Sequence, residues 1–293
     1  MNGNKLPDFF MLGVQKAATS TFHKILNQDS DFSLPYKKET HFFSENFNKN
    51  LNWYLNQYNN RTYKIRGEID PSYIYYKKTP QNIKKHITDP KFIIIFRKPI
   101  DRAYSHYLMS KTRGYENETF NNALDLENKR LENGSKFSFS HHSYLSRGLY
   151  HEQVEKYKNV FPDSKFLYLK YEDFLIIDNR KKILRKIYSF LNVKFKNDLN
   201  ISFHENKSAS MRFKFIRDLT HSDNILRTLL KNLIPSEYLR FIIISKINTL
   251  NKKNIVQRKL SYSTLNQKYI DWNNEQSYSL SKLSDLNIKN WII

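Results

Sequence analysis

The chain has 293 residues and not one cysteine. That excludes a disulfide framework and a thiolate metal site, and makes a reducing, cytoplasmic setting the expectation. Glycine and proline are scarce, at 6 and 8, which leaves no room for a flexible linker or a low-complexity tract. There is no internal repeat. No apolar run approaches the roughly 20 residues that a spanning helix needs: "FIIIF" at 92–96 and "FIII" at 241–244 are far shorter. The run from Phe9 to Val14 is too short for the apolar part of a secretory signal. Acidic residues are few as well, 28 against 49 Lys plus Arg, which leaves a formal charge of +21. A soluble protein with an anionic partner is expected: nucleic acid, an anionic membrane surface, an acidic polymer or a phosphorylated cofactor. The lysines are scattered among Asn, Ile and Tyr, so pairs such as 37–38, 77–78 and 84–85 read mostly as solvated surface.

What is present suits one large α/β domain. The 39% hydrophobic and 15% aromatic content provides a core. "DFFMLGV" (8–14) reads as a buried strand and "TSTFHKILNQ" (19–28) as the helix after it, with Thr19 or Ser20 as N-cap. "YKIRGEI" (63–69) and "SKFLYLKYED" (164–173) are further strands. "KFIIIF" (91–96) is the strongest, short and β-branched like a central parallel strand. Helices are expected at 79–87, 98–111, 146–161 and 179–193. This alternation predicts a mainly parallel sheet in a three-layer α/β/α, P-loop-like arrangement. From Arg212 to Asn254 the pattern changes to basic helices, read as a subdomain or flap within a single domain of residues 1–293 that ends in a C-terminal helical extension.

The stretch "GVQKAATSTF" (13–22) joins a buried strand to a helix N-terminus. Free N–H groups converge there and the helix dipole favours negative charge, so it is an anion site. The Walker order G-x-x-x-x-G-K-[ST] is absent, because Lys16 precedes the small residues. The strand "FIIIF" ends in Arg97 where a P-loop kinase often carries an acid for Mg²⁺. A cation at a second strand end points to a second anion, and a nucleotide with phosphates at both ends suits such a pair. No metal-ligand cluster is visible. His141 and His142 read as surface residues.

At these residues the chain resembles the sulfotransferases that use 3′-phosphoadenosine 5′-phosphosulfate (PAPS), and is most similar to their glycan branch, with heparan sulfate sulfotransferases and bacterial relatives. "GVQKAATSTF" is similar to the 5′-phosphosulfate loop and "FRKPIDRAYSHY" (96–107) to the 3′-phosphate motif. "KETHFF" (38–43) followed by "WY" (53–54) resembles the catalytic segment of the glycan branch. "GEIDPSY" (67–73), "SRGLYHEQVEKY" (146–157), "YEDFL" (171–175) and "LSDLNIKNW" (283–291) resemble further landmarks. The resemblance implies roles for matching positions. Lys16 would contact the phosphosulfate, with Ala17, Ala18, Thr19, Ser20 and Thr21 around the 5′-phosphate. Arg97 and Ser105 would bind the 3′-phosphate, Tyr150 would lie near the nucleotide, and Lys207 or Arg212 would close over it. Glu39 would be the catalytic base, with His41 beside it in the acceptor site.

The implied enzyme moves a sulfuryl group without a metal to a hydroxyl or amine of a glycan or glycolipid, in polysaccharide biosynthesis, with peripheral contact to an anionic membrane open to it. O- versus N-sulfation and the number of subunits stay open. Two rivals stand beside it: an ATP-dependent P-loop kinase or transferase, disfavoured by Arg97, and a basic nucleic-acid-binding protein, for which no recognition module is present.

Overall fold

The structure is a computed structural model that describes residues 5–59, 62–203, 209–211, 236–250, 252–254 and 259–293. Its elements run β1 (Phe9–Gly13), α1 (Thr19–Leu26), β2 (Phe32–Ser33), α2 (Leu51–Leu55), β3 (Ile65–Ile69), α3 (Thr79–Lys84), β4 (Lys91–Phe96) and α4 (Pro99–Thr112). Short helices α5 (Phe120–Asp125), α6 (Glu127–Glu132) and α7 (Lys136–His141) lead to α8 (Tyr150–Val160), β5 (Phe166–Lys170), α9 (Tyr171–Leu175) and α10 (Ile177–Leu191). β6 (Ala209–Met211), α11 (Glu237–Leu250), β7 (Lys252–Asn254) and α12 (Gln267–Leu283) complete the described chain.

Two compact units result. The first holds residues 1–107, 119–206 and 260–293. Its sheet has the order β2-β3-β1-β4-β5, and every pairing in it is parallel. β1 and, beyond Lys91, β4 are apolar and buried, as strands covered on both faces must be. Alternation sorts their side chains to the two layers. Phe10 meets Phe43, Tyr73 and Phe92, and Phe92 meets Tyr157 of α8. Phe9 points the other way to Phe32, which packs on Tyr188 of α10. Burying side chains of this size contributes about 1.5–3 kcal/mol each. Gly67 of β3 is a steric requirement, because a Cβ there would sit 2.0 Å from the Phe9 ring. The second unit holds residues 108–118 and 207–259, and contains the basic segment singled out above. In its described part, α11 leaves Leu239, Ile243, Ile247 and Leu250 exposed.

Several expectations shift at their edges. "KFIIIF" is a strand over the expected residues, but β3 starts at Ile65, and 171–173 turn into α9 instead of extending β5. The N-cap of α1 is neither Thr19 nor Ser20. It is Ala18, left-handed at φ 61 and without a side-chain cap, whose carbonyl takes the N–H groups of Thr21 and Phe22. His142 is buried, not on the surface, and its ring lies against Phe137. Lys38 is also not solvated: its side chain keeps 18% of its exposure.

Candidate active site

Three adjacent strands, β3, β1 and β4, carry the candidate residues at their C-terminal ends. The β1–α1 loop lies in the middle. Val14 N–H donates to Ile95 of β4 (2.9 Å), which ties the loop to its neighbour strand. Lys16 and Ala18 both take left-handed backbone, at φ 74 and 61. Non-glycine residues hold that conformation only where surroundings over-determine it, and left-handed residues in such a loop are a recurring part of anion nests. Ala17, Ala18, Thr19 and Thr21 are buried, while Lys16 and Ser20 reach partial exposure.

Arg97, at the end of β4, crosses to this loop. Its Nη1 donates to the Lys16 carbonyl at 2.9 Å, and its guanidinium lies 4.7 Å over the Tyr171 ring. Tyr150 is fully buried beneath it and donates its hydroxyl to the Arg97 carbonyl at 2.9 Å. Ser105 is buried two turns into α4. A second tier braces this strand end. Glu172 of α9 accepts the Lys98 N–H and the Trp291 indole, both at 3.2 Å. Asn273 of α12 accepts the Ile100 N–H and donates to the Trp291 carbonyl. Two landmarks from the sequence, "YEDFL" and the closing "NW", are thus supports for the turn that presents Arg97. Lys207 and Arg212 lie outside the described residues.

The turn holding Glu39 and His41 is anchored from β3. Glu39 and His41 are left-handed, φ 64 and 53, on either side of a buried Thr40. Glu68 Oε1 accepts the Thr40 N–H (3.1 Å) and hydroxyl (2.5 Å). Its Oε2 accepts the hydroxyls of Tyr54 (2.7 Å) and Tyr73 (3.0 Å). Asp70 Oδ2 accepts the His41 N–H at 2.9 Å and lies 2.8 Å from His41 Nδ1. The ring N–H is not aligned along that contact, so it is an ion-pair contact rather than a well-formed hydrogen bond. Asn46 Nδ2 donates to the Thr40 carbonyl, and Asn82 Nδ2 to that of Phe43. Glu39 pairs with Lys38 and keeps about a third of its side chain exposed, 32%.

The electrostatics follow from burial against charge. Burial, with Asp70 nearby, pushes Glu68 up to about 7. Burial also acts against charge on Asp70, but His41, with the Ser72 N–H and Lys38, outweighs it and holds this carboxyl below its usual range. His41 is the mirror case. Burial opposes its cation, yet Asp70, joined by Glu45 and Glu68, leaves the ring above the usual histidine value. Lys38 is pushed down to about 8, again by burial, with Asp70 opposing.

The structure thus brings Lys16, the loop to Thr21, Arg97, Glu39 and His41 to three neighbouring strand ends. Sequence reasoning passed over Glu68 and Asp70. Their signal was their spacing: carboxylates two apart at the end of a strand buried on both faces point to one side and into the core. Among the described residues there is no group of His, Asp and Glu suited to a metal, and no helix is long and apolar enough to cross a membrane.

Comparison with known proteins agrees with this architecture. The chain is 27% identical over 192 residues to heparan sulfate glucosamine 3-O-sulfotransferase 3B1 of Mus musculus, covering 65% of the chain and 47% of that protein. It is 27% identical over 109 residues, 36% of the chain and 23% of the relative, to the membrane-associated sulfotransferase kil1 of Dictyostelium discoideum. The chain spans about half the length of the heparan sulfate relatives it matches. A crystal structure of a sulfotransferase from Alicyclobacillus acidocaldarius shares the fold, with TM-score 0.61 and 24% identity over 82% of this chain and 96% of that one. The model of the sulfotransferase domain spans residues 6–223, and so takes in all three strand ends just described; the chain belongs to the sulfotransferase family.

Proposed function

We propose that the chain transfers a sulfuryl group from PAPS to a hydroxyl or amine of a carbohydrate. The observation that carries this is the adjacency at the sheet edge. Two cationic loops, joined by the Arg97–Lys16 bond, lie at the ends of β1 and β4. A turn carrying a half-buried carboxylate is clamped to the neighbouring end of β3. The left-handed residues of the β1–α1 loop suit a 5′-phosphosulfate, and Arg97 with Ser105 suits a 3′-phosphate. Tyr150 would act by holding the Arg97 backbone. Lys207 and Arg212 keep their place in the proposal as residues closing over the nucleotide.

In this reading an acceptor oxygen or nitrogen forms a bond to sulfur while the bond from sulfur to the phosphate oxygen breaks. Glu39 takes the acceptor proton. Lys16 and the loop N–H groups meet the charge that grows on the departing phosphate, which is electrostatic stabilisation prepared in advance. Adenosine 3′,5′-bisphosphate (PAP) is released. The chemistry asks for no metal. The named activity of the heparan sulfate relatives supports a glycan acceptor, and a glycolipid would present the same chemistry at a membrane. The reaction would then serve polysaccharide biosynthesis in the cytoplasm, within one sulfotransferase domain of which 212–254 is a flap.

One thermal-shift plate with PAP, ATP–Mg²⁺ and an oligonucleotide tests the donor. Stabilisation by PAP above the other two is expected; preference for ATP–Mg²⁺ would select a kinase-like enzyme, and preference for the oligonucleotide a nucleic-acid binder. Transfer from ³⁵S-labelled PAPS to heparosan, chondroitin and a glycolipid fraction then tests the acceptor. Sulfation of simple phenols in preference to every glycan would overturn the acceptor class.

A further inference from the structure

We infer that Asp70 is a positioning residue for the acceptor side of the reaction: it anchors the backbone and the ring of His41 together, and so fixes the left-handed turn that presents Glu39. This rests on the roles of Glu39 and His41 proposed above.

Asp70 has no exposed side-chain surface. An ionised carboxylate buried without partners costs several kcal/mol, so its contacts have to offset its desolvation. Those contacts are the His41 N–H, the His41 ring and the Ser72 N–H at 3.0 Å. Two of the three go to one residue, and that residue is strained. Left-handed backbone is unfavourable for a residue with a Cβ, and the turn contains two such residues in three. Conformations of this kind persist only where the surroundings hold them. Glu68 grips Thr40 from one side and Asp70 grips His41 from the other, so the backbone between and beside them, Glu39 included, has one available path.

The ring contact adds a second consequence. With Nδ1 at Asp70, Nε2 is the nitrogen left to meet an acceptor, on a side chain 29% exposed. The charged groups facing His41 are Asp70 and Glu68 from β3 and Glu45 from its own turn. Lys38 and, from the turn 146–148, Arg147 act on Asp70 in their turn. Asp70 is the largest of the acidic influences on the ring. Held in this way the His41 ring favours its charged form more than a free histidine does, which suits it to orient an acceptor or attract its negative groups, and the proton acceptor is Glu39.

Asp70→Asn tests this, because it keeps the shape and an acceptor for the His41 N–H but removes the charge. The full chain is labelled with ¹³C and ¹⁵N at histidine, the His41 ring signal is assigned with His41→Ala, and each protein is titrated. The wild-type ring should titrate above the ordinary 6.5. In Asp70→Asn burial is opposed only by the weaker influences of Glu45 and Glu68, so the midpoint should fall. With heparosan and ³⁵S-labelled PAPS, kcat should drop about 10- to 100-fold as the turn loses its geometry, the KM for PAPS should change by less than about twofold, and Asp70→Glu should recover part of kcat. An unchanged His41 midpoint in Asp70→Asn overturns the inference, and so does a variant that only melts earlier and loses PAP binding. If heparosan is not sulfated, the titration alone decides. Failure of the functional reading looks different: Glu39→Gln would then be fully active whatever His41 does.

Discussion

The donor side and the acceptor side of this site are built by different means. The donor side consists of two loops that directly follow β1 and β4. Its proposed working groups are backbone N–H donors, Lys16 and Arg97, each within a few residues of its strand, and a hydrogen bond joins the two loops. The acceptor turn has little regular structure of its own. Its conformation is imposed by carboxylates 28 and 29 residues further along the chain. An anion site made of N–H groups follows from how a chain leaves a strand and enters a helix, so it can be written locally. A turn that stores strain needs distant residues to hold it, and its function then depends on pairs that no short motif contains.

Mutations on the two sides should therefore fail in different ways. The largest effect is expected on the acceptor side. Glu39→Gln keeps size and polarity but cannot take a proton, so transfer to a glycan should fall by about 10²–10⁴-fold while PAP binds as before. Near wild-type turnover would place the base elsewhere. On the donor side, Lys16→Ala should lower turnover by ~10²-fold at saturating PAPS, as loss of a transition-state donor does; an effect confined to KM would reduce Lys16 to a binding group. Arg97→Ala removes a charge-assisted contact worth about 1.5–3 kcal/mol, so PAP should bind roughly 10–100-fold more weakly by calorimetry. A nucleotide lacking the 3′-phosphate should scarcely notice. Equal loss for both ligands would show that Arg97 matters only for bracing the β1–α1 loop.

The smallest effect separates the two carboxylates at the end of β3, Glu68 within it and Asp70 just past it. Glu68 is protonated more readily in the folded protein, at about 7 against an ordinary 4.5. Between those values the folded state binds the extra proton, so the contribution of Glu68 to stability is lost as pH rises from about 4.5 through 7. Melting curves of Glu68→Gln should gain on the wild type across that window. The amide can still accept from Thr40, and the tyrosine hydroxyls can turn to accept from it. Asp70, held low, has the opposite sign: its contribution is lost as pH falls through its folded value. A wild type that instead gains on Glu68→Gln as pH rises would mean that Glu68 is held ionised like its neighbour.

The sequence was most readable where structure is local and apolar. β4 is a continuous β-branched run, and its limits are those of the run itself. The β1–α1 loop was legible as a strand-to-helix connection, and its glycine and lysine are what propose it as an anion site. Its capping was not, since Ala18 enters the helix through a left-handed φ that no residue-type preference announces. "KETHFF" was legible only by resemblance; alone, Glu39 between Lys38 and Thr40 is an ordinary surface turn. The pair that fixes it was hidden because period-2 alternation shows which face Glu68 and Asp70 share and not what covers that face. Lys38 was misread for the same reason, since a lysine pair shows nothing of what buries one member.

The strand order has a consequence for how the protein comes to be made. β1 lies between β3 and β4, both of which are synthesised after it. Its apolar run therefore waits without any lateral partner until the chain has grown past Ile69, and without its second until past Phe96, a delay of several seconds at ~5–20 residues per second. Parallel pairings across such long connections close late and slowly. The segment that becomes the middle of the sheet is thus the one most in need of shelter during synthesis, and crowding of nascent chains or a shortage of chaperones should be felt at β1 before anywhere else.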